Sequence, residues 1–553
     1  MLNRTLLSLT LLSFIGCTSS RNESHISPTP PGSYPALISP SSIPSGVAGF
    51  TLPSIPASTN AALTGGTITS GLRSGDFATP QNVISGGSTP NEQYPKKTEN
   101  PFVLTKKEDT STFSVDVDTA SYANLRRFVR QRQTPSPDSI RIEELINYFD
   151  YQYPLPQGDA PFAIAAEVAS SPWKSENRLA LIGLRSAEVD SVERPPANLV
   201  FLLDVSGSMS SPQKLPLLKK AFRLLLTQLD ERDRVAIVTY AGYEQVALPS
   251  TSCRDKNKII KVLDKLDSNG STNGSGGIRK AYQLARKQFG KGEINRVILA
   301  TDGDFNVGIS NQEDLKALIK KEAQSGVFLT ALGFGMGNLR DDTLQTLAQN
   351  GNGQHSYIDS LLEAKKVLVT ELGATLQTVA KDVKIQVVFD PKKVESYRLI
   401  GYETRLLSTA DFANDKKDAG EMGAGHRVTA LYEIKPFPHA TGKLFSLKVR
   451  HKAPNSSRSK LQTVPIMDNG KDFAQASSEF QFAASVAAFG MLLTDSEHKG
   501  TSSRSQVYQW AKAGLRQDSS GLRKDFLSLI KKTKLPKPRE TDLKTVSLLS
   551  SDR

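Results

Sequence analysis

The sequence predicts a multidomain α/β protein in which a parallel sheet, wrapped by helices on both faces, is flanked by β-rich and helical regions. Three observations predict it. Apolar runs suited to buried strands recur at Leu199–Asp204, Arg234–Tyr240, Arg296–Thr301 and Val327–Gly333, and continuous apolar character marks a parallel strand covered on both sides. Helical stretches lie between them, as where Leu215, Leu218, Phe222, Leu225 and Leu229 recur at three- and four-residue spacing and share one face. Strand and helix in alternation give a doubly wound sheet, whereas residues 376–466 carry short alternating runs such as "VKIQVVFD" and "HRVTALYEIKPF", the pattern of antiparallel strands.

Taken in chain order, residues 1–17 read as an export signal: Arg4 precedes the apolar run Leu6–Ile15 and then Gly16-Cys17, too short a stretch for a membrane-spanning helix. Residues 18–100 hold eleven of the 30 prolines among Ser, Thr, Gly and Ala, a composition that buries too little apolar surface to offset the entropy of ordering it. This segment is expected to be a tether, spanning on the order of 50 Å as a coil. Residues 101–160 form an N-terminal α/β region: "TFSVDVD" alternates like a strand, Asp118 or Thr119 can cap a helix carrying Tyr122, Leu125, Phe128 and Val129, and Ile142, Leu145, Ile146 and Phe149 mark a second helix. Asp116 and Asp118 lack the glycine and distal glutamate of an EF-hand, so an exposed strand face is expected there. Residues 161–195 supply two strands, "FAIAAEVAS" and "RLALIGLRS".

The α/β domain covers 196–375, a β-rich domain 376–475, and a helical, basic region 476–553, with Phe482, Val486, Phe489 and Leu493 on one helix side and Leu522, Phe526, Leu529 and Ile530 following. Strands on both flanks of the α/β unit allow a single β-sandwich into which that unit is inserted. The net charge is +13, and residues 501–553 alone carry twelve Lys or Arg against five Asp or Glu; this excess reads as a solvated surface rather than a site for anionic lipid or polysaccharide, and no nucleic-acid partner is expected.

The chemistry centres on "LVFLLDVSGSMS", where a buried strand ends at Asp204 and is followed by Ser206 and Ser208. Ligands of open α/β sheets bind at this carboxyl end of the strands. Further along, "SNGSTNGSGG" presents Thr272 and "ILATDGDFNVG" ends another strand at Asp302. Two carboxylates and three hydroxyls, all oxygen, suit a hard divalent cation. The serines could instead cap the next helix through Ser208 or Ser210. No HExxH, G-x-S-x-G or P-loop is present, and the six histidines are scattered, so no enzyme is expected. "GFGMG" at Gly333–Gly337 lacks the third glycine of a dinucleotide fingerprint.

D-x-S-x-S, a later Thr and T-D-G, falling on these strands in this order, resemble the metal-ion-dependent adhesion site of von Willebrand factor A (VWA) domains, whose sheet is Rossmann-like. The resemblance implies that Ser206, Ser208 and Thr272 hold Mg²⁺ (or Mn²⁺ or Ca²⁺) directly, with Asp204 and Asp302 acting through water. A coordination position stays open for an Asp or Glu of a protein partner. Asp304 and Asn306 would shape the loop, and the last helix, around Leu361–Leu372, would shift when ligand binds. Gly16-Cys17 resembles a bacterial lipobox, implying a lipidated Cys17. Thr18 after it implies an outer-membrane anchor on the periplasmic or surface face. Cys253 then has no disulfide partner and is expected to be a small buried hydrophobe. "FSVDVDTASYANLRRFV", "IRIEELINYFDY" and the β-rich and helical end are similar to YfbK-type bacterial VWA lipoproteins over roughly residues 100–540. These readings imply a metal-dependent adhesion or envelope-scaffolding module. A structural envelope protein with a fold-stabilising metal, or a hydrolase, are the alternatives.

Overall fold

The computed structural model describes residues 92–536 except 116–117, 189–193, 270–273, 304–311, 338, 372–375, 418, 455 and 519. Cys17, the tether up to residue 91, Thr272, Asp304 and Asn306 lie outside the described residues. The chain starts with short strands β1 (Val103–Leu104) and β2 (Thr110–Ser114), helices α1 (Ala120–Arg130) and α2 (Ile142–Asn147), and an antiparallel pair, β3 (Phe162–Ser170) and β4 (Arg178–Ser186).

The α/β domain then begins with β5 (Ala197–Asp204) and continues through α3 (Leu215–Gln228), β6 (Arg234–Tyr240), β7 (Glu244–Ser252), α4 (Lys256–Asp264), α5 (Gly274–Lys287), β8 (Ile294–Thr301), α6 (Gln312–Ala323), β9 (Phe328–Phe334), α7 (Asp341–Asn350), β10 (His355–Ile358) and α8 (Leu361–Lys365). The sheet order is β10-β9-β8-β5-β6-β7, parallel except for β7, which pairs antiparallel with β6. Every residue of β5 and β8 is buried. Side chains alternate across β5: Leu199, Phe201 and Leu203 join the core under α3 and α4, while Val200 and Leu202 join the core under α5 and α7. Burial on both faces is why β5 reads as an unbroken apolar run.

After this insertion the chain returns through β11 (Thr378–Phe389), β12 (Val394–Ile400), β13 (Leu406–Leu407), β14 (Gly420–Gly423), β15 (Arg427–Pro436), β16 (Gly442–Lys452) and β17 (Ser459–Asp468), then helices α9 (Ser478–Leu493), α10 (Arg504–Ala513) and α11 (Leu522–Lys532). Strands from before and after the insertion share sheets. β4 pairs with β15, Leu181 opposite Leu431, in a sheet ordered β1-β12-β15-β4-β3. The facing sheet is ordered β13-β2-β11-β16-β17. Phe113, Ile182, Val387, Tyr432 and Phe445 fill the space between them. Segments 161–195 and 376–475 are thus one sandwich rather than two neighbouring regions, because neither group of strands closes a core alone. The terminal helices merge likewise: Ile142 and Phe149 meet Phe482, Phe489 and Phe526 in a third layer over Leu179, Leu181 and Leu431. Phe482 and its partners do not form one side of α9 with a polar face opposite; the helix is buried nearly all round, as a central element must be.

Buried ion pairs join the α/β domain to the N-terminal region. Arg141 lies between Glu144 and Asp341, 2.5 Å from the latter, with all three side chains buried. Arg126 bridges Asp359 at 2.5 Å and Glu363 at 2.6 Å. Contacts extend upstream of the expected start at residue 101: Glu92 pairs with Arg127 at 2.5 Å and accepts from the Gly337 amide at 2.9 Å. Thr119, the N-cap residue of α1, makes no cap through its side chain. Asp118 instead accepts from the His355 amide at 2.7 Å and pairs with Arg405 at 3.0 Å, since a carboxylate buried there is held better by two donors from other segments than by one helix end.

Truncating Arg141 to alanine leaves Asp341 and Glu144 buried without its guanidinium. The expected cost is about 3–5 kcal/mol, read as a clear fall in the thermal unfolding midpoint; an unchanged midpoint would show that the pair contributes nothing.

Candidate metal centre

In the sheet order, β5 feeds α3 and β6 to one side while β8 feeds α6 and β9 to the other, so the chain reverses direction between β5 and β8. A crevice opens at the carboxyl ends of strands at such a switch point. Asp204 and Asp302 both lie there, fully buried. One oxygen of Asp204, Oδ1, accepts from the Ser206 amide at 2.9 Å. The other accepts from the Thr301 hydroxyl at 2.7 Å and, at 3.4 Å, from the Tyr240 hydroxyl. Burial, and next the nearby charge of Asp302, push the Asp204 carboxyl up to about 6 against the pull of these hydrogen bonds. The same burial and the Asp204 charge hold the Tyr240 phenol well above its usual range.

Ser206 and Ser208 follow on a single 3₁₀ turn, Gly207–Ser210, anchored by buried Met209. Their hydroxyl oxygens are 3.0 Å apart, Ser206 buried and Ser208 exposed at the rim. Ser206 makes no side-chain cap to this turn, and α3 begins after Lys214 with no side-chain cap either. Helix capping therefore does not account for the serines. Asp302 is bonded by the Lys214 ammonium at 2.8 Å, with that side chain only 8 % exposed.

Two glycines make this arrangement possible. Gly303, at φ +95°, turns the chain where a Cβ would come within 2.5 Å of the Arg340 amide, and Gly335, at φ +75°, leaves the space that the Lys214 stem fills. The start of α5 rests on the same edge, since a Cβ on Gly277 would meet the Tyr240 Cβ at 3.0 Å.

Of the five residues expected from sequence, the structure brings four together: Asp204, Ser206, Ser208 and Asp302. Thr272 is outside the described residues. Sequence reasoning missed three others. Thr301 was open to view as the residue before Asp302 in T-D-G; Tyr240 and Lys214 carry no local signal and reach the centre only through the fold. The donor set contains oxygen alone, and among the described residues no three His, Cys, Asp or Glu side chains cluster as a metal site. A cation held here would thus depend on hydroxyls beside the two carboxylates, a set suited to Mg²⁺ or another hard ion and unsuited to zinc. Cys253, the other cysteine of the chain, is buried and free, with burial pushing its thiol up to about 12. Such a thiol is inert.

The von Willebrand factor type A domain model matches residues 198–371, a von Willebrand factor model matches 88–181, and the model described as the C-terminal region of the uncharacterized protein YfbK matches 374–442 and 438–535. YfbK of Escherichia coli (strain K12) is 41% identical over 464 residues, covering 79% of this chain and 80% of that protein. Human inter-alpha-trypsin inhibitor heavy chain H4 is 28% identical over 180 residues, 30% of this chain and 19% of that one. Among solved structures, a von Willebrand factor type A protein from Catenulispora acidiphila aligns with TM-score 0.41 at 13% identity, over 70% of this chain and 96% of its own. Domains of this type typically serve in protein–protein interaction and are generally not enzymes. With the strand-end centre set in a type A domain, and with the flanking regions matched along most of the chain, the protein belongs to the YfbK family of bacterial VWA proteins.

Proposed function

We propose that the protein is a lipid-anchored module of the bacterial cell envelope that binds an acidic protein partner through a divalent cation, Mg²⁺ (or Mn²⁺ or Ca²⁺). It would act in adhesion or in scaffolding an envelope complex, with no catalysis. Ser206, Ser208 and Thr272 would hold the cation, Asp204 and Asp302 would orient its bound waters, and Cys17 would carry the acyl anchor, in the outer membrane. The observation that carries this reading is the Ser206–Ser208 oxygen separation of 3.0 Å beside two buried carboxylates. Adjacent corners of an octahedron with bonds of ~2.1 Å lie about 3 Å apart, so the two hydroxyls fit neighbouring positions on a magnesium ion. With only two carboxylates near it, the ion would keep positive charge toward a partner's Asp or Glu.

Mg²⁺ is expected to raise the unfolding midpoint of the parent protein in proportion to the logarithm of its concentration above the dissociation constant. Ser206→Ala should abolish that rise and, in parallel, the chelator-sensitive capture of an envelope partner. A midpoint indifferent to Mg²⁺, Mn²⁺ and Ca²⁺ in the parent sinks the reading.

Lys214 competes with the cation for Asp302. Lys214→Met removes a buried ammonium, so the metal-free protein should lose about 3 kcal/mol or more, while its gain from added Mg²⁺ exceeds the parent's. Metal titrations of the two proteins by calorimetry check this, and equal or weaker binding by the variant would refute it.

Acidity acts through Asp204. Its folded pKa of about 6 lies above the ordinary value of 3.8, so the folded state takes up a proton that the unfolded chain does not as pH falls from 6 toward 4. The metal-free protein should thus gain stability over that interval, by up to about 3 kcal/mol, and lose it as pH rises through 6. The Mg²⁺ increment should shrink over the same descent, because protons and metal compete for one carboxylate. Unfolding midpoints with and without chelator across this interval measure both effects.

A further inference from the structure

We infer that the outer face of α4 is a docking surface for an acidic polypeptide segment that runs along the α/β domain toward the strand-end centre. Arg254, Lys258, Lys261 and Lys265 follow one another at spacings of four, three and four, which stacks them on one side of α4 and its leading turn. All four are exposed and together line a shallow depression of about 530 Å³, with Asp255, Asn257 and Val262. Ile259 and Leu263 on the opposite side are buried and fix which way the row faces.

Among the described residues, Lys258, Lys261 and Lys265 have no carboxylate partner, and Arg254 meets only exposed Glu231 at 3.2 Å. Of the two acids flanking the row, Asp255 is exposed at the same depression, while Asp264 is taken up by Arg223 from α3 and its carbonyl accepts from Lys219 at 2.9 Å, so α3 adds cations to the same flank. Like charges at these spacings repel and destabilise a helix. Elsewhere in this domain some helical cations are matched, as Lys316 is by Glu313 and Arg286 by Glu322, and others, such as Lys220, Lys320 and Lys321, meet no carboxylate among the described residues, but on α4 four follow one another along one side over a single depression. An unmatched row retained at a cost in helix stability points to a counter-charge supplied by a partner.

The row is ~16 Å long at 1.5 Å per residue. Beyond Lys265 the chain reaches the centre itself, for the Asn269 amide donates to the carbonyl of Val205, between Asp204 and Ser206, at 2.8 Å. A carboxylate-bearing chain can therefore occupy the row and present its end to the metal, whereas a surface of lipid phosphates would satisfy the row alone. The direction of the segment rests on the metal-dependent reading above; the docking itself does not.

The test is fluorescence anisotropy of a labelled oligoglutamate peptide, with an oligoglutamine counterpart, on the full chain at low and high salt, with Mg²⁺ or with chelator. The K258E/K261E/K265E variant is expected to bind about tenfold more weakly or worse under both metal conditions and to lose most of the salt dependence. K258Q/K261Q/K265Q, which leaves the helix less perturbed, should fall between that variant and the parent, and reversal of exposed Lys392, Lys416 and Lys460 should change little. Ser206→Ala should remove only the Mg²⁺-dependent increment; if no such increment exists while the lysine variants still lose binding, the metal reading fails and the docking surface stands. The proposal is overturned if the lysine variants bind oligoglutamate like the parent or if oligoglutamine binds equally well. It is overturned equally if the lysine row governs binding to phosphatidylglycerol vesicles but not to the peptide.

Discussion

Two carboxylates buried at the end of a parallel sheet are the constraint on which the rest of this molecule depends. Asp204 and Asp302 are both shielded from water, and each raises the cost of charging the other. A buried charge persists only when it is hydrogen-bonded and paired. Each neighbouring feature serves one of those needs. Thr301, Tyr240 and the Ser206 amide donate to Asp204, and the Lys214 ammonium answers Asp302. The donors are placed by main-chain geometry that a generic sheet edge lacks: a tight turn after Asp204, a glycine after Asp302, and another glycine over the lysine stem.

The same edge is braced from behind by the N-terminal region. The loop after β9 carries Gly335 against Lys214, Gly337 bonded to Glu92, and Arg340 beside Gly303. Gln93 pairs with that loop through its backbone, donating to Leu339 at 2.9 Å and accepting from Asp341 at 3.1 Å. Residues 92 and 93 therefore act at one remove on both Lys214 and Asp302. An isolated α/β domain would keep the strands and the serines but lose this brace, which gives a physical reason for the N-terminal region and the type A domain to lie in one folded unit.

Much of this was legible in the sequence where a feature is local. β5, β6, β8 and β9 announced themselves because burial on both faces demands unbroken apolar runs, and the D-x-S-x-S and T-D-G spacings point to the ends of β5 and β8, where Asp204, Ser206, Ser208 and Asp302 lie. What stayed hidden depends on long-range pairing or on partial exposure. β7 is a half-exposed edge strand interrupted by Pro249, which only an edge tolerates, and β10 has four residues. That strands before and after the insertion share a sheet was only one arrangement among several, since alternation fixes which face a residue takes but not its neighbour strand. Asp118 looked like a helix cap because a cap is the local use of an aspartate at that position. His355 and Arg405, which it meets in the fold, are distant in sequence.

Any signal from the Asp204–Asp302 edge to the sandwich has to contend with α8. This helix is only Leu361–Lys365 and passes into a π-helical turn, Lys366–Thr370, before the strands resume. Arg126 holds it through Asp359 and Glu363, carboxylates that are 2 % and 1 % exposed, while Tyr148 donates to Glu363 at 2.8 Å. Sliding α8 would separate two buried carboxylates from the Arg126 guanidinium, at a cost of about 3–5 kcal/mol. A ligand can move an equilibrium only by its differential affinity for the two arrangements, and ~4 kcal/mol corresponds to about a thousandfold difference in affinity. A partner that discriminates less than that leaves α8 in place, and the domain then acts as a rigid clasp. Relay to the sandwich thus demands a ligand bound far more tightly in the shifted form, or a second event that first loosens Arg126.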